Sequence, residues 1–464
     1  MFVGRNEELK SLNEKYNSGK FECAVIYGRR RVGKTELISE FVKDKKHIFF
    51  TAVEGTYRKN LDLLSKAIIS GIEGGIRLNN PKFSEFSDCL EHIYHNADEK
   101  IIVVIDEYPY LVQSDKSISS VLQQFIDHKF QKINIMFILC GSSMSFMEEQ
   151  VMGNKSPLYG RRTCQYKVNP FGFNDSSKFH KSFNKQEKAL IYAITGGIPK
   201  YLLMINDQLN LKDNIINNFF SPDSLLFEEP GNLLKQELRE PAVYNSIITA
   251  IATGSSKMNK ISTKTYLTSS ACNKYLSPLI SLGIIKKEVP ILSKAGTRNT
   301  IYRLNDGMFR FWYNFVYENI SEISMHQGKA LYDEIESQIP DFMGEVFEDI
   351  CKQWIWQERF AGRLPVLIKT CGRWWGTNPL IRKEQEIDLF AVDKNQHNAV
   401  FCECKWRNEK ISGSTIDDLI EKCNMFNIKN KYYYFFSKNG FTESAGKKAG
   451  DKIRLIKFDD MYPS

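Results

Sequence analysis

The octapeptide Gly28-Arg29-Arg30-Arg31-Val32-Gly33-Lys34-Thr35 constrains this chain more than any other stretch. It follows the apolar run Ala24-Val25-Ile26-Tyr27, which reads as a buried strand, and precedes the amphipathic run Glu36 to Val42, which reads as a helix. Strand, G-x-x-x-x-G-K-T, helix describes a phosphate cradle. The glycines let backbone N–H groups turn inward, the lysine reaches the outer phosphate oxygens and the threonine hydroxyl can ligate Mg2+. Gly28, Gly33, Lys34 and Thr35 are therefore candidate ATP-binding residues, with Thr35 also a candidate Mg2+ ligand.

A second apolar run, Ile101-Ile102-Val103-Val104-Ile105, ends in Asp106-Glu107. A uniformly apolar run suits a parallel strand buried on both faces, whose C-terminal edge is where α/β sheets bind ligands. Asp106 would hold Mg2+ through water and Glu107 would polarise an attacking water as general base, although an acidic pair after a strand is also a common helix cap. A third strand, Ile133 to Leu139, runs into Cys140-Gly141-Ser142-Ser143, where a serine contacts the γ-phosphate, positions the water or caps the next helix.

Several further stretches give a resemblance. Phe2-Val3-Gly4-Arg5-x-x-Glu8-Leu9, the Arg-rich loop, the acidic pair, Gly141-Ser142-Ser143, Pro157-Leu158-Tyr159-Gly160-Arg161-Arg162 and Gly196-Gly197-Ile198-Pro199-x-Tyr201-Leu202 together resemble the archaeal-type ATPases. These belong with the AAA+ and STAND-like P-loop ATPases and also occur in bacteria. The resemblance covers roughly residues 1 to 230. It implies that Gly4 and Arg5 lie near the adenine, that Ser142 is a sensor, and that Arg161 or Arg162 is an arginine finger. It also implies that Gly196 to Pro199 is a nucleotide-proximal hinge between sheet and helical lid; read from the residues alone, the same segment is a helix-helix corner.

From Pro241 to Arg310 the pattern changes to three helical stretches, Tyr244 to Ile251, Met258 to Tyr266 and Ala271 to Leu282. A hairpin follows, of Ile284 to Val289 and Thr300 to Leu304 around a turn at Gly296 to Asn299. Helices followed by a two-stranded ribbon describe a winged helix-turn-helix, a module that binds DNA in some proteins and joins subunits in others. Charge favours DNA. The chain carries 63 Lys and Arg against 55 Asp and Glu, a formal +8. Residues 241 to 310 hold ten Lys and Arg against Glu288 and Asp306, which equals that whole excess. Ser269, Ser270, Asn273, Lys274 and Ser277 form the expected exposed face of the third helix. The aromatic run Phe309 to Tyr317 that follows reads as a core seam or as a base-stacking surface.

Near the C-terminus, Ile387 to Ala391 and Val400 to Trp406 alternate as two strands of a hairpin. Glu403 and Lys405 share one face, Cys402 and Cys404 the other, and Asp388 can approach across the hairpin. Two carboxylates and a lysine on one face suit Mg2+-assisted phosphodiester hydrolysis, the acids holding metal and Lys405 orienting or activating water; a surface ion-pair hairpin has the same residues. Asp388, then fourteen residues, then Glu403-Cys404-Lys405 resembles the PD-(D/E)XK signature of restriction-endonuclease-like folds, with Ile387 in place of the usual proline. That resemblance covers about residues 335 to 464 and implies a further metal-ligand glutamate on the first helix, Glu348, with Glu345 in reserve. Archaeal-type ATPases often carry such a C-terminal domain of uncharacterised function.

The expected architecture is thus an α/β protein. A P-loop NTPase parallel sheet with helical lid (1–235) precedes a winged helix-turn-helix (236–318) and a restriction-endonuclease-like α/β domain (335–464). Hydrophobic residues at 42% and charged residues at 25% exclude a disordered chain. No apolar run approaches the roughly 18 residues of a membrane span. The ten cysteines form no C-x-x-C pair, so a reducing cytoplasm without structural zinc is expected. The expected function is an ATPase that acts on DNA, with Mg2+-dependent cleavage open; the alternative is a nucleotide-dependent switch with an inert nuclease-like domain. A homo-oligomer is compatible with either.

Overall fold

The computed structural model describes residues 2–73, 83–97, 99–294, 296–297 and 299–462. Arg298, one of the ten cations counted above, lies outside the described residues. The chain forms two compact units, one of Met1–Phe171 with Ile198–Lys200 and one of Gly172–Gly197 with Tyr201–Ser464.

In the first unit, β1 (Glu22–Tyr27), β2 (His47–Thr51), β3 (Ile101–Asp106), β4 (Ile135–Gly141) and β5 (Cys164–Lys167) form one sheet in the order β2-β3-β4-β1-β5. All its pairings are parallel. β1, β3 and β4 are buried at every residue, including Glu22 at the start of β1 and Asp106 at the end of β3, and their otherwise apolar runs suit a sheet covered on both faces. Ala24, Ile26, Leu37, Phe41, Ile102 and Ile138 belong to one core that fixes the helix Lys34–Val42 against the sheet. Because the strands are parallel, the ends of β1, β3 and β4 fall on one edge. The register pairs Tyr27 with Gly141, and Ile105 with Leu139.

The second unit starts with helices, including Lys185–Thr195, Leu211–Phe219 and Leu225–Glu237. Three more follow, Pro241–Ala252, Met258–Thr265 and Ser269–Ser281, and then the antiparallel ribbon β6 (Ile285–Glu288) and β7 (Ile301–Leu304). Gly196 and Gly197, at φ 62° and 69°, end the helix Lys185–Thr195. The aromatic run lies on the helix Gly307–Phe315, where Phe309, Phe311, Trp312, Tyr313 and Phe315 are all buried. It is a core seam: Trp312 Nε1 donates to the Phe227 carbonyl at 2.7 Å, and Phe311 packs edge-on to Phe219.

The long helix Ile339–Phe360 leads to a mixed sheet of β8 (Thr370–Asn378), β9 (Lys383–Val392), β10 (Asn398–Lys405), β11 (Asn430–Ser437) and β12 (Ile453–Lys457), in the order β12-β11-β10-β9-β8. β8, β9 and β10 pair antiparallel, whereas β10, β11 and β12 pair parallel. Ile387, Phe390, Phe401 and Phe435 form its core with the helix Gly413–Lys422. Among the described residues no helix is long and apolar enough to cross a membrane.

Candidate functional site

Gly33 caps the helix Lys34–Val42 at φ 88°, a left-handed conformation that costs glycine little. At Gly28 a Cβ would lie 2.4 Å from the Val168 carbonyl oxygen, so only glycine lets β1 leave the sheet at this point. The loop between them folds over the Lys34 ammonium, which donates to the carbonyls of Gly28 at 2.9 Å and Arg29 at 3.1 Å. Thr35 Oγ1 donates to Asp106 Oδ2 at 3.0 Å, joining the loop to the end of β3. Asp106 Oδ1 accepts the backbone N–H of Glu107 at 3.0 Å.

Glu107 sits at φ 50° as the N-cap of the helix Tyr108–Ser114, a left-handed conformation that is unusual for a side-chain-bearing residue. Its Oε2 accepts from the Ser142 hydroxyl at 2.9 Å and from the Ser142 backbone N–H at 3.2 Å. Loop, acidic pair and serine, expected from three separate strands, meet at one sheet edge.

Arg5 ties the N-terminal segment to this edge: Nη2 donates to the carbonyls of Val32 at 3.0 Å and Asn169 at 2.7 Å, and the guanidinium lies 4.2 Å from the Phe171 ring centroid. Gly4 precedes it at φ 67°. Pro199 belongs to the same unit, its Cγ 3.6 Å from where a Gly33 Cβ would stand. Arg161 and Arg162 bond elsewhere. Arg161 grips Asp127 through Nε at 3.1 Å and Nη2 at 2.9 Å, which holds the Asp127 carboxyl below its ordinary range. Arg162 Nη1 donates to the Met152 carbonyl at 2.8 Å. Asp127, a helix-face residue with no local motif, gave no signal in the sequence.

The fold and this site define a P-loop ATPase. Residues 2–205 match a family described as an ATPase domain predominantly from Archaea, and residues 312–416 match one described as Archaea bacterial proteins of unknown function. An uncharacterized protein of Methanocaldococcus jannaschii is 32% identical over 442 residues, which are 94% of this chain and 96% of that protein. An uncharacterized ATP-binding protein of the same organism is 54% identical over 46 residues, 10% of this chain and 78% of that one. A solved Walker-type ATPase of Pyrococcus abyssi shares the fold with a TM-score of 0.53 at 20% identity, over 68% of this chain and 96% of that one. The chain belongs to the archaeal-type ATPase family.

In the second unit, Asp388 on β9 and Glu403 and Lys405 on β10 do converge. Lys405 Nζ lies 2.6 Å from Glu403 Oε1 and 3.7 Å from Asp388 Oδ2, while Asp388 Oδ2 also accepts the Cys404 N–H at 2.8 Å. Burial, then the Asp388 charge, push the Glu403 carboxyl up, against the pull of Lys405. Cys402 and Cys404 face the core, as alternation predicts. A cavity of about 430 Å3 opens beside Glu403, lined also by Asn378, Gln385, Thr415 and Lys422.

The expected third ligand is placed differently. Glu348, on the helix Ile339–Phe360, pairs with Arg373 Nε at 3.3 Å, and among the described residues no group of three or more His, Cys, Asp or Glu is placed to hold a metal ion. Arg373 lies where the register of β8 against β9 shifts, between Gly372 and Trp374, an irregularity of the kind that re-aims a side chain. Asp388, Glu403 and Glu348 thus do not gather as one metal-ligand set in this arrangement. Burial, then the Asp388 and Asp349 charges, push the Glu348 carboxyl up to about 9. Glu345 turns to the ribbon and pairs with Arg303.

The charge focus also narrows. Lys286 lies 3.1 Å from Glu288 and 3.2 Å from Asp349, and Arg310 lies 3.6 Å from Asp349. With Arg303 on Glu345, three of the ten cations are paired within the unit. Lys257, Lys260, Lys264, Lys274, Lys287 and Lys294 remain exposed, as do Ser269, Ser270, Asn273 and Ser277.

Proposed function

We propose that this ATPase couples ATP hydrolysis to engagement of DNA, with the lysine-bearing helices of residues 236–318 as a winged helix-turn-helix. The carrying observation is the meeting of Lys34, Thr35, Asp106, Glu107 and Ser142 at one edge of the parallel sheet. A hydroxyl and a carboxylate 3.0 Å apart are hard oxygen donors of the kind Mg2+ takes, so Thr35 and Asp106 fit that ion. Bound there, Mg2+ would neutralise charge on the phosphate oxygens. Lys34 exchanges its two loop carbonyls for phosphate oxygens, the loop N–H groups surround the phosphates, and Gly4 and Arg5 brace the loop on the adenine side. Glu107 takes a proton from the attacking water, and its bonds to Ser142 hold the carboxylate in position until then. Arg161 or Arg162 would serve a neighbouring subunit's γ-phosphate only after leaving its bond to Asp127 or Met152.

DNA engagement rests on the exposed lysines and on the helices and ribbon that present them. The test compares wild type with Lys34→Ala for ATP turnover and for duplex binding with and without ATP. Unchanged turnover in the variant defeats the site assignment; DNA affinity indifferent to nucleotide defeats the coupling.

Two readings of residues 335–464 compete. Asp388, Glu403 and Lys405 match a PD-(D/E)XK nuclease site, in which the acids would hold Mg2+ and Lys405 would orient water. The Arg373 pairing of Glu348 favours the alternative, a nucleotide-driven switch whose nuclease-like domain is inert. Cleavage of DNA with Mg2+ or Mn2+ that is lost in Asp388→Ala and Lys405→Ala supports the first. No cleavage of any duplex or single strand by ATP-loaded wild type supports the second.

A further inference from the structure

Tyr266 ends the helix Met258–Thr265 and opens the turn to the helix Ser269–Ser281. It is 97% exposed and sits at φ 57°, so the ring contributes almost nothing to a core while the backbone occupies a conformation that favours glycine or asparagine. Folding alone gives no reason for an aromatic residue here. Its surroundings do. No Asp or Glu occurs from Pro241 to Lys287, and Lys257, Lys260, Lys264 and Lys274 are exposed on the two helices that the turn joins. Lys264 is oriented by a 2.6 Å bond from its Nζ to Thr253 Oγ1.

We propose that Tyr266 stacks on an unpaired base of DNA held by these lysines, so that the preferred partner is a single strand or a fork rather than an intact duplex. A free ring gains most from a base face, and duplex bases offer only their edges in the grooves. The exposed face of the second helix supports the same choice. Apart from Lys274 it carries Ser269, Ser270, Asn273 and Ser277, short side chains that let a phosphate backbone approach closely and reach few base edges. This inference rests on the DNA-engaging reading and adds to it the form of the DNA and the residue that reads that form.

The test uses the full chain and labelled oligonucleotides: a blunt duplex, the same duplex with unpaired arms, and the arm strand alone with 2-aminopurine in place of one adenine. Tyr266→Gly should weaken arm-containing probes about tenfold, about 1.4 kcal/mol, and leave the blunt duplex nearly unchanged. Tyr266→Phe should restore affinity and the 2-aminopurine quenching. Thermal stability of Tyr266→Gly should equal or exceed wild type, since glycine relieves the backbone; a fall in stability would assign the ring a structural role and overturn the proposal. Equal binding of wild type and Tyr266→Gly to forked DNA overturns it too. If Lys260→Ala with Lys264→Ala then weakens every probe, the DNA reading stands without the ring; if these lysine variants also change nothing, both fail. Preference for the matched RNA strand over the DNA strand would overturn the choice of partner.

Discussion

The two carboxylate sites of this chain solve the same electrostatic problem in opposite ways. At the end of β3, Asp106 and Glu107 are balanced by neutral donors, a threonine hydroxyl, a serine hydroxyl and backbone N–H groups, while the nearby lysine is parked on carbonyls. At β9 and β10, Lys405 lies directly on Asp388 and Glu403, and Arg373 lies on Glu348. At the first, the bonds that reach the two carboxylates come from neutral donors and from no cation among the described residues. At the second, two cations already lie against three crowded carboxylates, so a divalent ion has to compete with Lys405 and Arg373 for them. Buried acids tolerate either arrangement, provided each carboxylate finds donors or a cation.

The strongest attempt to break this contrast is at the first site. Glu107→Gln should preserve ATP binding and lower turnover about a hundredfold or more, the usual contribution of a general base, measured as phosphate release at saturating ATP. Turnover within a few fold of wild type would make Glu107 a cap and nothing else. At the second site, Arg373→Ala should free Glu348 and tighten Mn2+ binding about tenfold, read by electron paramagnetic resonance of free Mn2+; unchanged binding would show that Arg373 does not guard the site. Smaller is the effect of Asp349→Asn, which leaves Lys286 and Arg310 short of a partner. It should cost about 2 kcal/mol in denaturant unfolding, between exposed-pair and fully buried values.

The smallest effect concerns Arg161. Its pairing lowers the Asp127 pKa, so the stabilisation is complete above the ordinary aspartate value of about 4 and disappears as pH falls through the lower folded value. Arg161→Ala should therefore cost at most about 1 kcal/mol at pH 7 and nothing at the acid end, in unfolding measured across pH. A loss of turnover larger than the loss of stability would instead point to a role at a neighbouring nucleotide.

What the sequence made legible follows from how local each signal is. The loop, the acidic pair and the serine each terminate an apolar strand, and a parallel sheet necessarily brings strand ends together, so their convergence follows from the sequence alone. The hairpin that joins Asp388 to Glu403 and Lys405 was legible for the same reason, a period of two across a short turn. The partners that decide the chemistry were not. Arg373, which meets Glu348, lies where the register of β8 shifts, and Asp349 and Glu345 meet the ribbon cations from a helix distant in sequence. Charge counting placed Lys286, Arg303 and Arg310 with the free lysines, since a count cannot see a pairing made by tertiary packing.

The bent backbone at Glu107 has a consequence for how such a chain can change over generations. A left-handed glutamate is held at a cost of about 1–3 kcal/mol, and Gly at that position would release it. Selection for heat resistance alone would therefore pull this position toward glycine, against the two bonds from Ser142 that the glutamate accepts. Tyr266 faces the same pull, so a survey of heat-adapted variants isolated without a demand for activity should find these two positions among the first to drift.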